Sequence, residues 1–402
     1  MSERKVLFIF GTRPEAIKLA RVIHELRAHT GIRPIVCVTA QHREMLDQVL
    51  KIFSLRPDYD LDVMAAGQTL PQSTSRILMK LEPVLAEARP DMIFVQGDTT
   101  TTFCGALAGF YADIPVAHVE AGLRTGDIRQ PFPEEMNRVL VSRLSTLHFA
   151  ATAAARNNLL ADGVAPAQIH VTGNTGIDAV LHIRDQLDEG QLESREWDFL
   201  NSAKKLLLVT AHRRESFGAG FDKICMALRQ IAEQNDVQIV YPVHLNPNVR
   251  RPVQEHLQGH PNIVLLEPLD YVDFVDLMRR AYLILTDSGG IQEEAPSFGK
   301  PVLVMREKTE RPEAVEVGTS TLVGVETERI AKAVTQLLTD EGEYRRRARI
   351  HNPYGDGHAS ERIASVILDG FNADLASTAR LRPIRRIAPV ASSIDPGGYR
   401  GG

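Results

Sequence analysis

The chain has 402 residues, 44% of them hydrophobic and 24% charged, a globular composition on a length that exceeds a single core. Its formal charge of −5 argues against a general nucleic-acid binder, and its apolar runs of six or seven residues fall far short of a membrane span. Cys37, Cys104 and Cys225 are scattered without a Cys-x-x-Cys, which predicts buried thiols rather than a disulfide framework or a thiolate zinc site. The opening MSERKVLFIF has no apolar signal core and leads into a strand pattern, so a cytoplasmic location is expected.

From Lys5 onward, KVLFIF, PIVCVT, DMIFVQ, PVAHVE, LHFAA and IHVTG read as strands separated by amphipathic stretches of helix length. That rhythm predicts a parallel sheet flanked by helices over 1–183. The next stretch, 184–203, is polar and strand-free and reads as a linker. A second series, LLLVTA, QIVYPVH, NIVLLEP, YLILTDS, PVLVMR and TLVG, predicts another doubly wound α/β domain over 204–358. A helix is expected over 359–379, where it has the option of packing back on the first domain. Residues 380–402 hold five Arg, one Asp, three Pro and four Gly without periodicity, which predicts a disordered basic tail.

Chemistry-bearing residues gather where strands end. After the first strand comes Gly11-Thr12-Arg13-Pro14-Glu15-Ala16-Ile17-Lys18, either an ordinary turn into a helix or an anion site at the helix start supplemented by Arg13 and Lys18. It is not G-x-G-x-x-G, and no P-loop pattern occurs in the chain. Asp98, before a run of threonines, is an N-cap or a catalytic carboxylate. Glu120, in HVEAGLR, follows another strand and should share a crevice with Asp98. Glu134 and Glu135, in PFPEEMNR, add carboxylates or simply favour a helix dipole. Carboxylates crowded into one crevice separate in proton affinity, which lets one hold a proton while another accepts one.

In the second domain, His212, Arg213 and Arg214 follow a strand, where His212 is either structural or a proton donor to phosphate; the case for His244 is weaker. Asp287-Ser288-Gly289-Gly290 is either a plain turn or a backbone cradle for a diphosphate, with Glu294 one turn on to accept ribose hydroxyls. No spacing among the thirteen His reads as a metal site, so none is expected.

Taken together, GTRPEAIK, GDTTTT, HVEAGLRTGD, PEEMNR, AHRRES, YPVHLNPNVR, LTDSGGIQEEAPSFGKPVLVMREKTERPEA and HNPYGDG resemble, in order, the non-hydrolysing UDP-N-acetylglucosamine 2-epimerases. The resemblance implies two Rossmann-like domains of glycosyltransferase B type facing across a cleft, a homodimer, and neither metal nor nicotinamide cofactor. It implies interconversion of UDP-N-acetylglucosamine and UDP-N-acetylmannosamine for surface polysaccharide supply, by elimination of UDP to 2-acetamidoglucal and re-addition. Asp98, Glu120, Glu134 and His212 would be catalytic; Arg13, Lys18, Ser288, Gly289, Gly290, Glu294 and Arg311 would bind the substrate. A second, activating site would use Gln41, Arg213 and His244, although Gly67 stands where some members carry an Arg. The alternatives are a hydrolysing epimerase, a glycosyltransferase of the same fold, or a silent sugar-nucleotide-binding regulator.

Overall fold

A computed structural model describes residues 3–39, 43–65 and 67–377, so Gln41 and the basic tail lie outside the described residues. Seven strands build the first sheet: β1 Arg4–Phe10, β2 Ile32–Val38, β3 Tyr59–Asp60, β4 Met92–Gln96, β5 Val116–Val119, β6 Leu147–Ala150 and β7 Ile169–Val171. Their order is β3-β2-β1-β4-β5-β6-β7. The second sheet holds β8 Lys205–Thr210, β9 Val237–Pro242, β10 Ile263–Leu266, β11 Leu283–Thr286, β12 Val302–Val304 and β13 Ser320–Leu322, in the order β10-β9-β8-β11-β12-β13. The ladders are parallel in both. All but β3 fall on the runs expected from the sequence.

Parallel sheets are covered on both faces, which is why the central strands read as unbroken apolar runs. Val6 through Phe10 are fully buried, as are Leu207 through Val209. Each sheet reverses its winding at its middle, between β1 and β4 in one and between β8 and β11 in the other. A crevice opens there outside the carboxyl ends of the strands. The first turn depends on glycine: a Cβ on Gly11 would stand 2.1 Å from Thr39 Oγ1 and 2.8 Å from Thr101 Oγ1.

The three cysteines are buried, each thiol pushed up to about 12 by burial. The stretch read as a linker is structured at both ends. Helix Thr175–Asp188 runs into it, and Trp197 is buried, donating from Nε1 to Asp276 Oδ2 at 2.7 Å. The last helix, Ala359–Ser377, starts on the carboxylate of Asp178, which accepts from the backbone N–H of Ala359 at 3.2 Å and Ser360 at 2.6 Å. The chain forms two compact units, one up to Ala364 with both sheets, the other from Ser365, whose described part is the rest of that helix. Among the described residues no helix is long and apolar enough to cross a membrane.

Candidate active site

The first lobe presents its carboxylates from three strand ends. At the end of β1, Glu15 is fully enclosed and takes the N–H groups of Gly11 and Thr12 at 3.1 and 2.8 Å and the hydroxyls of Thr12 and Thr99 at 2.7 Å each. Burial pushes its carboxyl up, against those donors. Glu15 therefore ties the β1 turn to the β4 turn and starts helix Arg13–Ala28, so that Arg13 and Lys18 leave from a fixed base.

Lys18 reaches Glu120, which follows β5, with Nζ 2.5 Å from Oε1, while Gln96 Nε2 donates to the other oxygen. Glu120 sits in the left-handed region at φ 63°, a conformation that costs a non-glycine residue energy and is held by its surroundings. Burial disfavours its charge, but Lys18, with Arg311 and Arg138 further off, outweighs burial and holds the carboxyl below its ordinary value. Lys18, in turn, is desolvated yet kept protonated by Glu120 and Glu293. Lys18 thus faces the cleft as part of an ion pair rather than as a free cation.

Asp98 is not the N-cap of the helix that follows β4. Thr99 is: its hydroxyl accepts from Thr102 N–H at 3.2 Å and opens helix Thr100–Tyr111. Asp98 is left to bind Arg138, whose Nε and second guanidinium nitrogen donate to Oδ2 at 2.9 and 2.7 Å. Arg138 also bonds Glu135 at 2.9 Å. Both Glu134 and Glu135 lie in the first turn of helix Glu134–Leu144, but they face differently. Glu135 is buried and fixes the preceding loop through the N–H groups of Thr125 and Gly126; Glu134 is half-buried.

In the second lobe, helix Gly289–Glu294 follows β11 with Ser288 as its N-cap, and the Ser288 side chain makes no capping bond. A Cβ on Gly289 would come 3.0 Å from the Arg311 guanidinium carbon, whereas a Cβ on Gly290 would meet nothing within 4 Å. Gly289 is thus needed for Arg311 to approach, and Gly290 leaves room for something else. Arg311 donates to Glu293 at 2.8 Å, and the other oxygen of Glu293 takes Asn174 Nδ2 of the first lobe at 2.7 Å. Glu294 is pushed up to about 8 by burial and by Glu293, against the pull of Lys18 and Arg13 across the cleft. His212, beyond β8, has Nδ1 3.3 Å from Asp287 Oδ1 and stacks on His244 with ring centres 5.4 Å apart. Burial, Arg213 and His244 hold His212 below its ordinary value despite Asp287.

The cleft therefore joins Lys18, Glu120, Glu293, Glu294 and Arg311 in one charge cluster. Asp98 lies beside it on Arg138, while His212, Arg213 and His244 form a separate group in their own lobe. Gln96, Arg138, Glu293 and Asp287 belong to these arrangements although the sequence reading gave them no role. Gly67 sits at φ 73° in a hollow lined by Gln68, Gln72 and Arg76. Among the described residues no group of three His, Cys, Asp or Glu is placed to hold a metal ion.

Residues 24–368 match the family described as UDP-N-acetylglucosamine 2-epimerase. A protein of that name from Yersinia pestis is 58% identical over 368 residues, covering 90% of this chain and 98% of that protein. The crystal structure of the Neisseria meningitidis UDP-GlcNAc 2-epimerase bound to UDP-GlcNAc superposes with a TM-score of 0.83 at 49% identity, covering 91% of this chain and 100% of that chain. A glycotransferase of kitacinnamycin, at 14% identity and a TM-score of 0.60 over 92% of this chain and 99% of that one, shares the fold alone. The fold is a two-lobed α/β arrangement of glycosyltransferase B type, shared with the solved UDP-GlcNAc 2-epimerase. The chain belongs to the UDP-N-acetylglucosamine 2-epimerase family, and with it to the isomerases.

Proposed function

We propose that this chain interconverts UDP-N-acetylglucosamine and UDP-N-acetylmannosamine by eliminating UDP across C1 and C2 and adding it back. The observation that carries this is the ionised Glu120, held by Lys18 and Gln96, in one charge cluster with the second lobe's Arg311 and Glu294. The C2 proton beside an acetamido group is weakly acidic, so departure of the anomeric oxygen must lead. The C1–O electron pair leaves with UDP, where Arg13, Arg311, His212 and the Ser288-Gly289-Gly290 backbone oppose its charge. A carboxylate stabilises the oxocarbenium-like carbon, as in glycoside cleavage. A carboxylate from the set Asp98, Glu120 and Glu134 takes the C2 proton, and the C2–H pair becomes the double bond of 2-acetamidoglucal. Another member of the set returns a proton to the opposite face before UDP re-adds. The protein's role is thus to supply surface polysaccharide precursors, as a cytoplasmic homodimer. Arg213 and His244, with Gln41, form an activating substrate site; Arg213 Nε, buried without a partner among the described residues, is a donor left for that ligand.

The test is the reaction of UDP-N-acetylglucosamine alone in deuterium oxide, followed by NMR. Deuterium at C2 of the UDP-N-acetylmannosamine formed is the expected result. Retention of the original hydrogen sinks the elimination route; free N-acetylmannosamine with UDP marks the hydrolysing reaction; no turnover without an acceptor marks a transferase or a regulator.

A pH dependence follows from Glu294. Its carboxyl, at about 8, is largely neutral at pH 7, and a neutral group does not repel a diphosphate. Deprotonation adds a negative charge, so UDP affinity should fall as pH rises through about 8. In Glu294→Gln that fall should disappear, and calorimetry at pH 7 and pH 9 on both proteins decides it. Equal pH dependence in the two would remove Glu294 from the UDP site.

A further inference from the structure

Asp287 is fully buried at the end of β11, beside the end of β8. The two strand ends are locked together: the hydroxyls of Thr210 and Thr286 share a hydrogen bond at 2.6 Å, and Thr286 Oγ1 accepts from Ser288 N–H at 3.0 Å. Asp287 Oδ2 accepts the backbone N–H groups of both His212 and Arg213 at 2.7 Å. Its other oxygen, Oδ1, is buried and accepts no hydrogen bond among the described residues, and His212 Nδ1 stands 3.3 Å from it, within ion-pair reach. The imidazole keeps 40% of its side-chain surface exposed. One edge of the ring is therefore turned to a buried anion and one face to the His244 ring, and part of the ring stays exposed.

We propose that Asp287 is the positioning residue for His212, holding it as the Nδ1–H tautomer so that Nε2 is presented to the departing phosphate. A buried carboxylate with a free oxygen accepts Nδ1–H and cannot donate to a bare Nδ1, so the neutral ring carries its proton on the Asp287 side. Any further proton then enters at Nε2, and the same anion favours that imidazolium. A carboxylate behind a histidine fixes both tautomer and orientation in this way wherever the pair occurs. The proposal rests on the role given to His212 above. It adds that Asp287 does not touch the ligand: it acts through the ring and through the backbone of the turn.

Asp287→Asn separates the two functions of the carboxylate. The amide oxygen can keep the two backbone N–H groups, which turns its NH₂ toward Nδ1. That donor forces Nδ1 to accept and moves the ring proton to Nε2. The expected result is turnover lower by roughly 10²-fold, the scale of a lost acid or charge-stabilising group, with KM and UDP affinity within about threefold. Nitrogen-15 NMR of the histidine rings, with His212 assigned by loss of its signal in His212→Asn, should show Nδ1–H in the wild type and Nε2–H in Asp287→Asn. The wild-type spectrum needs no variant to fold, and an Nε2–H tautomer there overturns the proposal. Turnover within about threefold of wild type in a folded Asp287→Asn also overturns it. If His212→Asn itself keeps normal turnover, the role of His212 fails instead, while the tautomer measurement still judges Asp287.

Discussion

Glu120→Gln is expected to lower turnover by roughly 10² to 10⁴, the range for removing a positioned acid or base. It should also destabilise the fold. Lys18 and Glu120 are 18% and 9% exposed at their side chains, so Lys18 would be left as an enclosed cation whose partner can no longer carry charge. Breaking one side of such a pair costs about 3–5 kcal/mol, more than removing both charges does. Lys18→Met combined with Glu120→Gln should therefore recover much of the stability and none of the turnover. Urea unfolding and a coupled assay for UDP-N-acetylmannosamine measure the two effects separately. A Glu120→Gln enzyme within about threefold of wild-type rate would take Glu120 out of the chemistry. A double variant less stable than the single one would mean that the pair itself holds the lobe together.

The second large effect concerns Asp276, which is fully buried in helix Tyr271–Arg280. It accepts from Trp197 Nε1 at 2.7 Å, Ser194 Oγ at 2.8 Å, Arg280 Nε at 2.9 Å and Arg279 at 2.7 Å. Asp276→Ala leaves a buried indole N–H unpaired and takes an anion from both guanidinium groups, of which Arg279 keeps Asp188. The expected loss is about 3 kcal/mol, from the unsatisfied donor and the broken charge-assisted bonds together. Trp197 is the one tryptophan in the sequence, so its emission reports this site alone. A red shift before global unfolding is expected as residues 194–197 come away. A loss under about 1 kcal/mol with unchanged emission would show that the segment is held by other contacts.

The alternation of apolar runs and amphipathic stretches was enough to locate the strands, because parallel strands buried on both faces carry their own signature. β3 escaped it: two residues, Tyr59 and Asp60, carry no period, and they are a strand only because β2 lies alongside. Residues 184–203 are polar enough to read as a linker, yet one indole and one buried carboxylate pin them, a pairing between positions 79 residues apart. The Asp98 ambiguity came from two capping residues in succession, Asp98 and Thr99; backbone geometry chose the second and freed the first for Arg138.

The candidate site was legible where a residue's chemistry sits at a strand end, as for Glu120, His212 and Ser288. It was not legible where function depends on which neighbour points inward. Glu293 and Glu294 are adjacent on a helix and so project about 100° apart. One locks Arg311 to Asn174, while the other lies under the fields of Lys18 and Arg13, and nothing in the pair of letters says which. Asp287 read as the first residue of a glycine turn, since its partner His212 lies 75 residues earlier and meets it only through the pairing of β8 with β11.

The strand order also bears on how the chain is made. Among the described residues both sheets are parallel throughout, so no ladder can close through a tight hairpin. β1 takes its place between β2 and β4, and β4 begins only at Met92. A ribosome adding about 5–20 residues per second needs several seconds to reach it. During that time one edge of the apolar strand Val6–Phe10 has no partner. The second sheet repeats the delay, since β8 waits for β11 at Leu283. Long-range parallel pairing of this kind is slow and exposes sticky edges on the way. The yield of active protein should therefore depend on dilution and chaperone supply during synthesis more than on the stability of the finished fold.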